Sequence, residues 1–255
     1  MESIKTKFIG IIPARYASTR FPGKPLVKLG DKLIIQHVYE NAENAIDDVW
    51  VATDDERIAK AVAGFGGKYV MTRDDHQSGT DRCAEAATLL SAEIQFDVVI
   101  NIQGDEPFVR QEQLNALKSC FDDSETEIAT LVKQIESNEV LFNTNRPKVV
   151  MDHNQNALLF SREAIPHIRD EEKEKWLTRH DFFSHLGMYA YRKEVLEQIT
   201  LLLPSRLELA ESLEQLRWLE NGYRIKVAKT SFESIGIDIP EDLIAAEKFM
   251  AKNGM

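Results

Sequence analysis

Four short apolar runs, Phe8–Ile12, Val49–Thr53, Lys68–Met71 and Asp97–Ile102, constrain this 255-residue chain most, because a segment with helical period separates each from the next. The intervening helices are expected at Ile34–Ala45, Glu56–Ala63 and Thr80–Leu90. Gly64-Phe65-Gly66-Gly67 ends the second, and Ser78 or Thr80 caps the third. A strand that is apolar along its whole length suits a sheet covered on both faces, and a helix between consecutive strands is what a parallel crossover requires. The pattern predicts an α/β fold with a mostly parallel central sheet. Ligands of such sheets bind beyond the carboxyl ends of the strands, so the loops after Ile12, Thr53, Met71 and Ile102 are where chemistry is expected.

The first of these loops is the richest. The segment from Ile11 to Leu26 leaves a strand and turns at once to small residues, Ala17, Ser18, Thr19 and Gly23, interspersed with Arg15, Arg20 and Lys24. Small residues let backbone N–H groups approach oxyanions, and the cations neutralise charge that a backbone nest offsets only in part. The loop suits a polyphosphate, although it matches neither G-x-x-x-x-G-K-[ST] nor G-x-G-x-x-G; a plain basic surface loop is the alternative. The loop after the fourth strand, Asn101-Ile102-Gln103-Gly104-Asp105-Glu106-Pro107, sends Asp105 to the ligand side, and Gly236-Ile237-Asp238-Ile239-Pro240 offers Asp238. Mg²⁺ takes one or two carboxylates together with phosphate oxygens and water, so two aspartates suffice. Each is also an ordinary turn or cap residue, Asp238 above all, since it precedes Pro240 and a helix. The tract Thr72 to Arg82 is polar throughout and could read the edge of a base or simply cap the helix it precedes.

After about Asn143 the alternation changes. Lys148–Asp152 and Ala157–Ser161 flank a turn-rich tract and read as a hairpin, and another strand-like run follows at Gly187–Tyr191. Residues 144–200 are therefore expected to form a smaller mixed-sheet lobe inserted into an α/β domain of residues 1–143 and 201–255, and dimerisation is an ordinary use for such a lobe. A helix over Leu207–Glu220, a strand over Arg224–Ala228 and a last helix over Pro240–Lys252, with Pro240 in its first position, complete the main domain. In the first of these helices Leu209, Leu213 and Leu216 share one face. Glu211, Glu214 and Trp218 then face outward, and an outward tryptophan hints at cover by a ligand or a partner.

The formal net charge of −11 argues against a broad basic surface for nucleic acid and leaves anionic ligands to local clusters of cations. Cys83 and Cys120 lie outside any C-x-x-C and suit packing in a reducing cytoplasm better than a disulfide scaffold. No apolar run is long enough to cross a bilayer and residues 1–7 carry no signal-peptide core, so a soluble cytoplasmic protein without membrane insertion is expected. The histidines show no zinc-ligand spacing, and no G-x-S-x-G marks an acyl-transfer nucleophile.

Taken in order, IIPARYASTRFPGKPL, VATDDERI, MTRDDHQSGTDR, NIQGDEPF, FSREAIP, HLGMYAYR, LEQLR and IDIPEDL resemble the 3-deoxy-manno-octulosonate cytidylyltransferases, from about Ile9 to about Leu243. The resemblance implies a Rossmann-like nucleotidyltransferase fold, a homodimer, CTP as donor, 3-deoxy-manno-octulosonate (Kdo) as acceptor and Mg²⁺ as cofactor. The product, CMP-Kdo, would serve lipopolysaccharide biosynthesis. Carried over residue by residue, Arg15 and Lys24 neutralise the triphosphate with Arg20 in support. Ala14, Arg73, Ser78 and Gln103 define the nucleoside pocket, and Asp105 and Asp238 bind Mg²⁺. Arg162, His185, Tyr189, Glu214 and Gln215 hold the sugar acid, Arg162 and Gln103 near its carboxylate. The chain departs from the family pattern at Arg206, often a proline, at Leu209, often a histidine, and at Ile239, often a threonine. An 8-amino relative of Kdo or a sialic acid is thus the alternative acceptor. A non-catalytic nucleotide-binding regulator is the alternative to an enzyme, and it would be expected to lack Asp105 or Asp238.

Overall fold

The computed structural model, which describes residues 6–17, 20–233 and 235–253, divides into a unit of residues 1–115 and 234–255 and a unit of residues 116–233. The expected lobe of residues 144–200 lies wholly within the second. Ser18 and Thr19 of the phosphate-loop reading lie outside the described residues.

The first unit opens with β1 (Phe8–Ala14), a two-residue hairpin of β2 (Lys28–Leu29) and β3 (Lys32–Leu33), and α1 (Ile34–Glu43). There follow β4 (Asp48–Thr53), α2 (Glu56–Gly64), β5 (Tyr69–Met71), α3 (Gly79–Leu90) and β6 (Val98–Asn101), and the chain leaves this unit within α4 (Gln111–Ser119). Strand β1 pairs in parallel with β6 on one edge and β4 on the other, and β4 pairs in parallel with β5. Ile9, Ile11 and Ile12 have no solvent exposure, which is why this strand reads as an unbroken apolar run. The helices sit where the sequence places them. Ile34, Ile35, Val38, Tyr39 and Ala42 form the buried stripe of α1. Ser78 caps α3 in a reciprocal box with Asp81, deciding between the two expected caps.

The second unit contains β7 (Ile128–Gln134), the short α5 (Asn138–Leu141), β8 (Lys148–Met151), β9 (Ala157–Ser161), β10 (Phe183–Arg192), α6 (Lys193–Ile199), α7 (Arg206–Glu211), α8 (Gln215–Glu220) and β11 (Ile225–Thr230). Its sheet is mixed. Strand β7 is parallel to β11 and antiparallel to β10, β10 is antiparallel to β8, and β8 and β9 form the expected hairpin. The helix expected over Leu207–Glu220 is two helices, because Ser212 adopts a left-handed conformation (φ 50°, ψ 50°) that ends α7. Arg162 holds the carbonyls of Glu211 and Ser212 at that break, where a continuous helix would have used them. The break also overturns the expected faces. Leu209 is 69% exposed, while Trp218 is 1% exposed and covered by the rings of Tyr189 and Tyr191 in the same unit, so neither ligand nor partner is needed to cover it.

The chain rejoins the first unit from residue 234 and forms α9 (Asp242–Asn253), which starts two residues later than expected. Pro240 and Glu241 belong to the preceding turn, and the Asp242 carboxylate accepts the N–H groups of Asp238 and Ile239 at 2.8 and 3.0 Å. Ile237 and Ala246 are buried with Leu29, Ile34 and Phe108, and Phe249 packs on Phe108 with ring centroids 4.7 Å apart. This cluster anchors the segment that carries Asp238.

Candidate active site

Beyond the carboxyl ends of β1 and β6 lies a cleft of about 230 Å³ within the first unit. Ala14, Arg15, Arg20, Lys24, Ser78, Gln103, Asp105 and Asp238 all line it. Lys24 is aimed by its predecessor. Gly23 sits at φ +71°, its N–H donates to the Tyr16 carbonyl at 2.9 Å, and a Cβ there would meet the Tyr16 ring at 3.0 Å. The Tyr16 ring is held in turn by the Arg57 guanidinium, 3.3 Å from its centroid.

The Lys24 ammonium donates to Asp105 Oδ2 at 2.7 Å and to Asp238 Oδ1 at 3.5 Å, and Arg20 Nη2 donates to the same Asp238 oxygen at 3.0 Å. Two backbone devices bring the carboxylates together. Gly104 lets the chain pass so close to β1 that a Cβ would lie 2.8 Å from the Pro13 carbonyl oxygen, and the Ile237 N–H donates to the Asp105 carbonyl at 2.9 Å. Among the described residues no group of three or more His, Cys, Asp or Glu side chains could hold a metal ion by itself. The two aspartates around one cation fit Mg²⁺, which completes its shell with phosphate oxygens and water.

Arg73 stands apart from the cleft lining. Its guanidinium is exposed and pairs with Asp75 at 3.0 Å, while its backbone N–H donates to Glu85 at 2.9 Å. The cleft is also lined by residues given no individual role by the sequence, among them His76, Arg82 and Gly104. Arg82 is 4% exposed and ties the loops after β4 and β5 together, with Nη2 2.8 Å from Asp54 and Nη1 donating to Thr72 Oγ1 at 2.6 Å. A buried guanidinium needs such partners. His76 lies 2.5 Å from the Glu85 carboxylate. Burial raises the Glu85 carboxyl, yet the His76 contact and the Arg73 N–H outweigh it and hold the group below its usual value. Both residues fall in the polar tract that the sequence marks, where charge alone could not separate a wall of the cleft from its support.

In the second unit the sugar-side candidates lie on β10, on α8 and its entry, and just beyond β9. His185 Nε2 is 3.0 Å from Thr130 Oγ1, and burial pushes its imidazole down to about 3. Tyr189 stacks edge-on against Trp218 with centroids 5.1 Å apart and lies 5.2 Å from the His185 ring. Its hydroxyl is raised well above the ordinary value by burial and then by the charge of Glu214, with the Thr130 hydroxyl acting against them. Gln215 is 5% exposed, and its Nε2, like Trp218 Nε1, meets no hydrogen-bond acceptor among the described residues. Such donors call for an oxygen-rich ligand or water. Arg162 is spread over backbone, with Nη1 on the Thr144 carbonyl at 3.1 Å and Nη2 on that of Ser212 at 3.2 Å.

A family model described as cytidylyltransferase matches residues 9–229. A 3-deoxy-manno-octulosonate cytidylyltransferase of Bacteroides thetaiotaomicron is 61% identical over 96% of this chain and 98% of its own length. One from Cytophaga hutchinsonii is 54% identical over 95% of this chain and 97% of its own. Among solved structures, a CMP:2-keto-3-deoxy-manno-octonic acid synthetase complexed with CTP superposes with a TM-score of 0.89 at 40% identity, covering 97% of this chain and 100% of its own. A 4-diphosphocytidyl-2C-methyl-D-erythritol synthase from Anaerococcus prevotii, at 14% identity and a TM-score of 0.61 over 96% of this chain and 99% of its own, shares the fold.

Proposed function

This chain belongs to the 3-deoxy-manno-octulosonate cytidylyltransferases and activates Kdo with CTP, giving CMP-Kdo and pyrophosphate; we propose that Asp105 and Asp238 hold Mg²⁺ for this reaction. The observation that carries the assignment is the Lys24 ammonium shared by these two carboxylates in the cleft beside Arg15 and Arg20. A site that gathers two carboxylates and four cationic side chains, Arg15, Arg20, Lys24 and Arg82, around one opening suits a metal–triphosphate.

The anomeric 2-hydroxyl of the sugar attacks the α-phosphorus of CTP in line, and the bond to the bridging oxygen of pyrophosphate breaks. Transfer of this kind depends on positioning and on charge neutralisation. Lys24 and Arg15 stabilise the charge that grows on pyrophosphate, with Arg20 in support. Ala14, Ser78 and Gln103 hold the nucleoside, with Arg73 as a further contact. Arg162, His185, Tyr189, Glu214 and Gln215 hold the sugar acid. Mg²⁺, when bound, supplies neutralisation at the α-phosphate and lowers the pKa of the hydroxyl.

The protein acts as a homodimer in the cytoplasm, and its product serves lipopolysaccharide biosynthesis. Support for self-association comes from β9, which among the described strands pairs only with β8 and exposes a leucine on each face, Leu158 and Leu159. No described helix is long and apolar enough to cross a membrane. Pyrophosphate release with CTP and a panel of Kdo, 8-amino-Kdo and sialic acid, with Mg²⁺ or EDTA, tests the reading. Kdo is expected to be the fastest acceptor and EDTA to stop turnover. A faster sialic acid overturns the acceptor, and turnover in EDTA overturns the metal.

A further inference from the structure

Thr130 lies among the sugar-side residues without belonging to any motif singled out above. It is wholly buried in β7, opposite Tyr189 in the β7–β10 register, where β10 shifts register between Leu186 and Tyr189. This irregularity turns two carbonyl oxygens toward one hydroxyl. Thr130 Oγ1 is 2.9 Å from Met188 O and 3.3 Å from Leu186 O, and it is also 3.0 Å from His185 Nε2. A threonine hydroxyl owns one hydrogen and two lone pairs, and a carbonyl oxygen can only accept. The hydrogen therefore goes to the carbonyls, with Met188 O the nearer; the neutral Tyr189 phenol beside Thr130 carries a hydrogen of its own and does not require this one, so lone pairs remain for the imidazole.

We propose that Thr130 is a positioning residue that locks His185 in its Nε2–H tautomer and so leaves Nδ1 as a hydrogen-bond acceptor for a hydroxyl of the sugar. The proposal rests on the reading of His185 as a sugar ligand. The ring has little freedom to escape the arrangement. The His185 backbone N–H donates to the Pro147 carbonyl at 2.8 Å and fixes the main chain, while the imidazole meets Phe160 edge-on with centroids 5.1 Å apart and Tyr189 at 5.2 Å. Burial keeps the ring neutral across the physiological range, so the tautomer rather than the charge decides what His185 offers. An Nδ1 lone pair favours a hydroxyl that donates and disfavours a carboxylate or phosphate oxygen, which has nothing to donate. The pair would thus help fix the orientation of a polyhydroxylated acid, hydroxyl edge toward His185.

Nitrogen NMR of protein labelled at histidine, with His185 assigned from its loss in His185→Gln, reads the tautomer directly. A protonated Nε2 and a bare Nδ1 are expected from about pH 5 to about pH 9. Thr130→Val removes the hydroxyl and should give a mixture of tautomers. It should also raise KM for Kdo about tenfold with KM for CTP unchanged, and Thr130→Ser should restore both. A protonated Nδ1 in the wild type, or an unaltered tautomer in Thr130→Val, overturns the proposal. Should Thr130→Val fail to fold, the wild-type spectrum and Thr130→Ser still decide. If the tautomer shifts as expected while neither Thr130→Val nor His185→Gln alters KM for Kdo, the tautomer assignment stands and the reading of His185 as a sugar ligand fails.

Discussion

The Lys24 ammonium donates to the Asp105 carboxylate at 2.7 Å across 81 positions of sequence, and it reaches Asp238 at 3.5 Å as well. Lysine here occupies the charge environment that a divalent cation would enter. If Asp105 and Asp238 hold Mg²⁺ as proposed, a bound metal–triphosphate would exchange partners, the carboxylates turning to the metal and the Lys24 ammonium to the phosphates. Asp105→Asn keeps the side chain's size and its hydrogen bond from Lys24 while removing the charge. It should fold with a melting temperature close to that of the wild type, yet lose about 10²–10³-fold in kcat at saturating Mg²⁺. Pyrophosphate release measures the loss, and unimpaired turnover would remove Asp105 from the mechanism.

Gly104 is fixed by sterics rather than by backbone angle. A methyl group there would sit 2.8 Å from the Pro13 carbonyl oxygen, and backbone cannot yield as a flexible side chain can. Gly104→Ala should therefore cost about 1–3 kcal/mol of stability and displace Asp105 from Lys24. Urea denaturation reads the first effect and the Mg²⁺ dependence of turnover the second. A variant with wild-type stability would show that β1 and the Asp105 loop can separate without cost.

The strand ends were legible because apolar runs and helical periods report burial directly, and the loops that follow them carry the cleft. The elements between Ile102 and Asn143, notably β7, have no counterpart in the sequence reading, although Thr130 on β7 touches His185. Nothing local in Ile128–Gln134 distinguishes a strand that sits between a parallel and an antiparallel neighbour. The reversed faces of α7 and α8 have a similar origin. Helical spacing assumes an unbroken axis, whereas Ser212 breaks it because of Arg162, which lies 50 residues earlier. His76 and Arg82 were hidden for another reason: composition marks a polar tract but not which of its members line the cleft, and Glu85, which supports His76, lies beyond that tract within α3.

Glu85 ties the loop between β5 and α3 to its own helix, accepting from the Arg73 N–H and lying against His76. Burial works against its charge, but these contacts leave its folded pKa below the ordinary 4.5. A carboxyl depressed in the folded state stabilises the protein above its unfolded value, and that contribution disappears as pH falls through the folded value. Glu85→Gln should thus be less stable than the wild type by about 1 kcal/mol near neutral pH. Chemical denaturation across pH should show the gap closing below 4.5. A gap that stays constant on acidification would mean that shape, not charge, holds the loop.

Arg162 distinguishes a ligand-binding role from a structural one. Its guanidinium donates to the carbonyls of Glu211, Ser212 and Thr144, its N–H donates to the Glu211 carboxylate at 2.8 Å, and its own carbonyl accepts from the buried Lys148 ammonium. These bonds shape the turn between α7 and α8, hence the placement of Glu214 and Gln215 just after it. Arg162→Lys keeps the positive charge but replaces a planar fork with a single point, which cannot serve three divergent carbonyls. If the turn presents the sugar ligands, KM for Kdo should rise about tenfold while KM for CTP holds, and stability should fall by about 1–2 kcal/mol. The two readouts separate the roles. Lost stability with an unchanged KM for Kdo would make Arg162 a splint for the turn and remove it from the acceptor site, whereas a KM effect at full stability would place its guanidinium on the sugar itself.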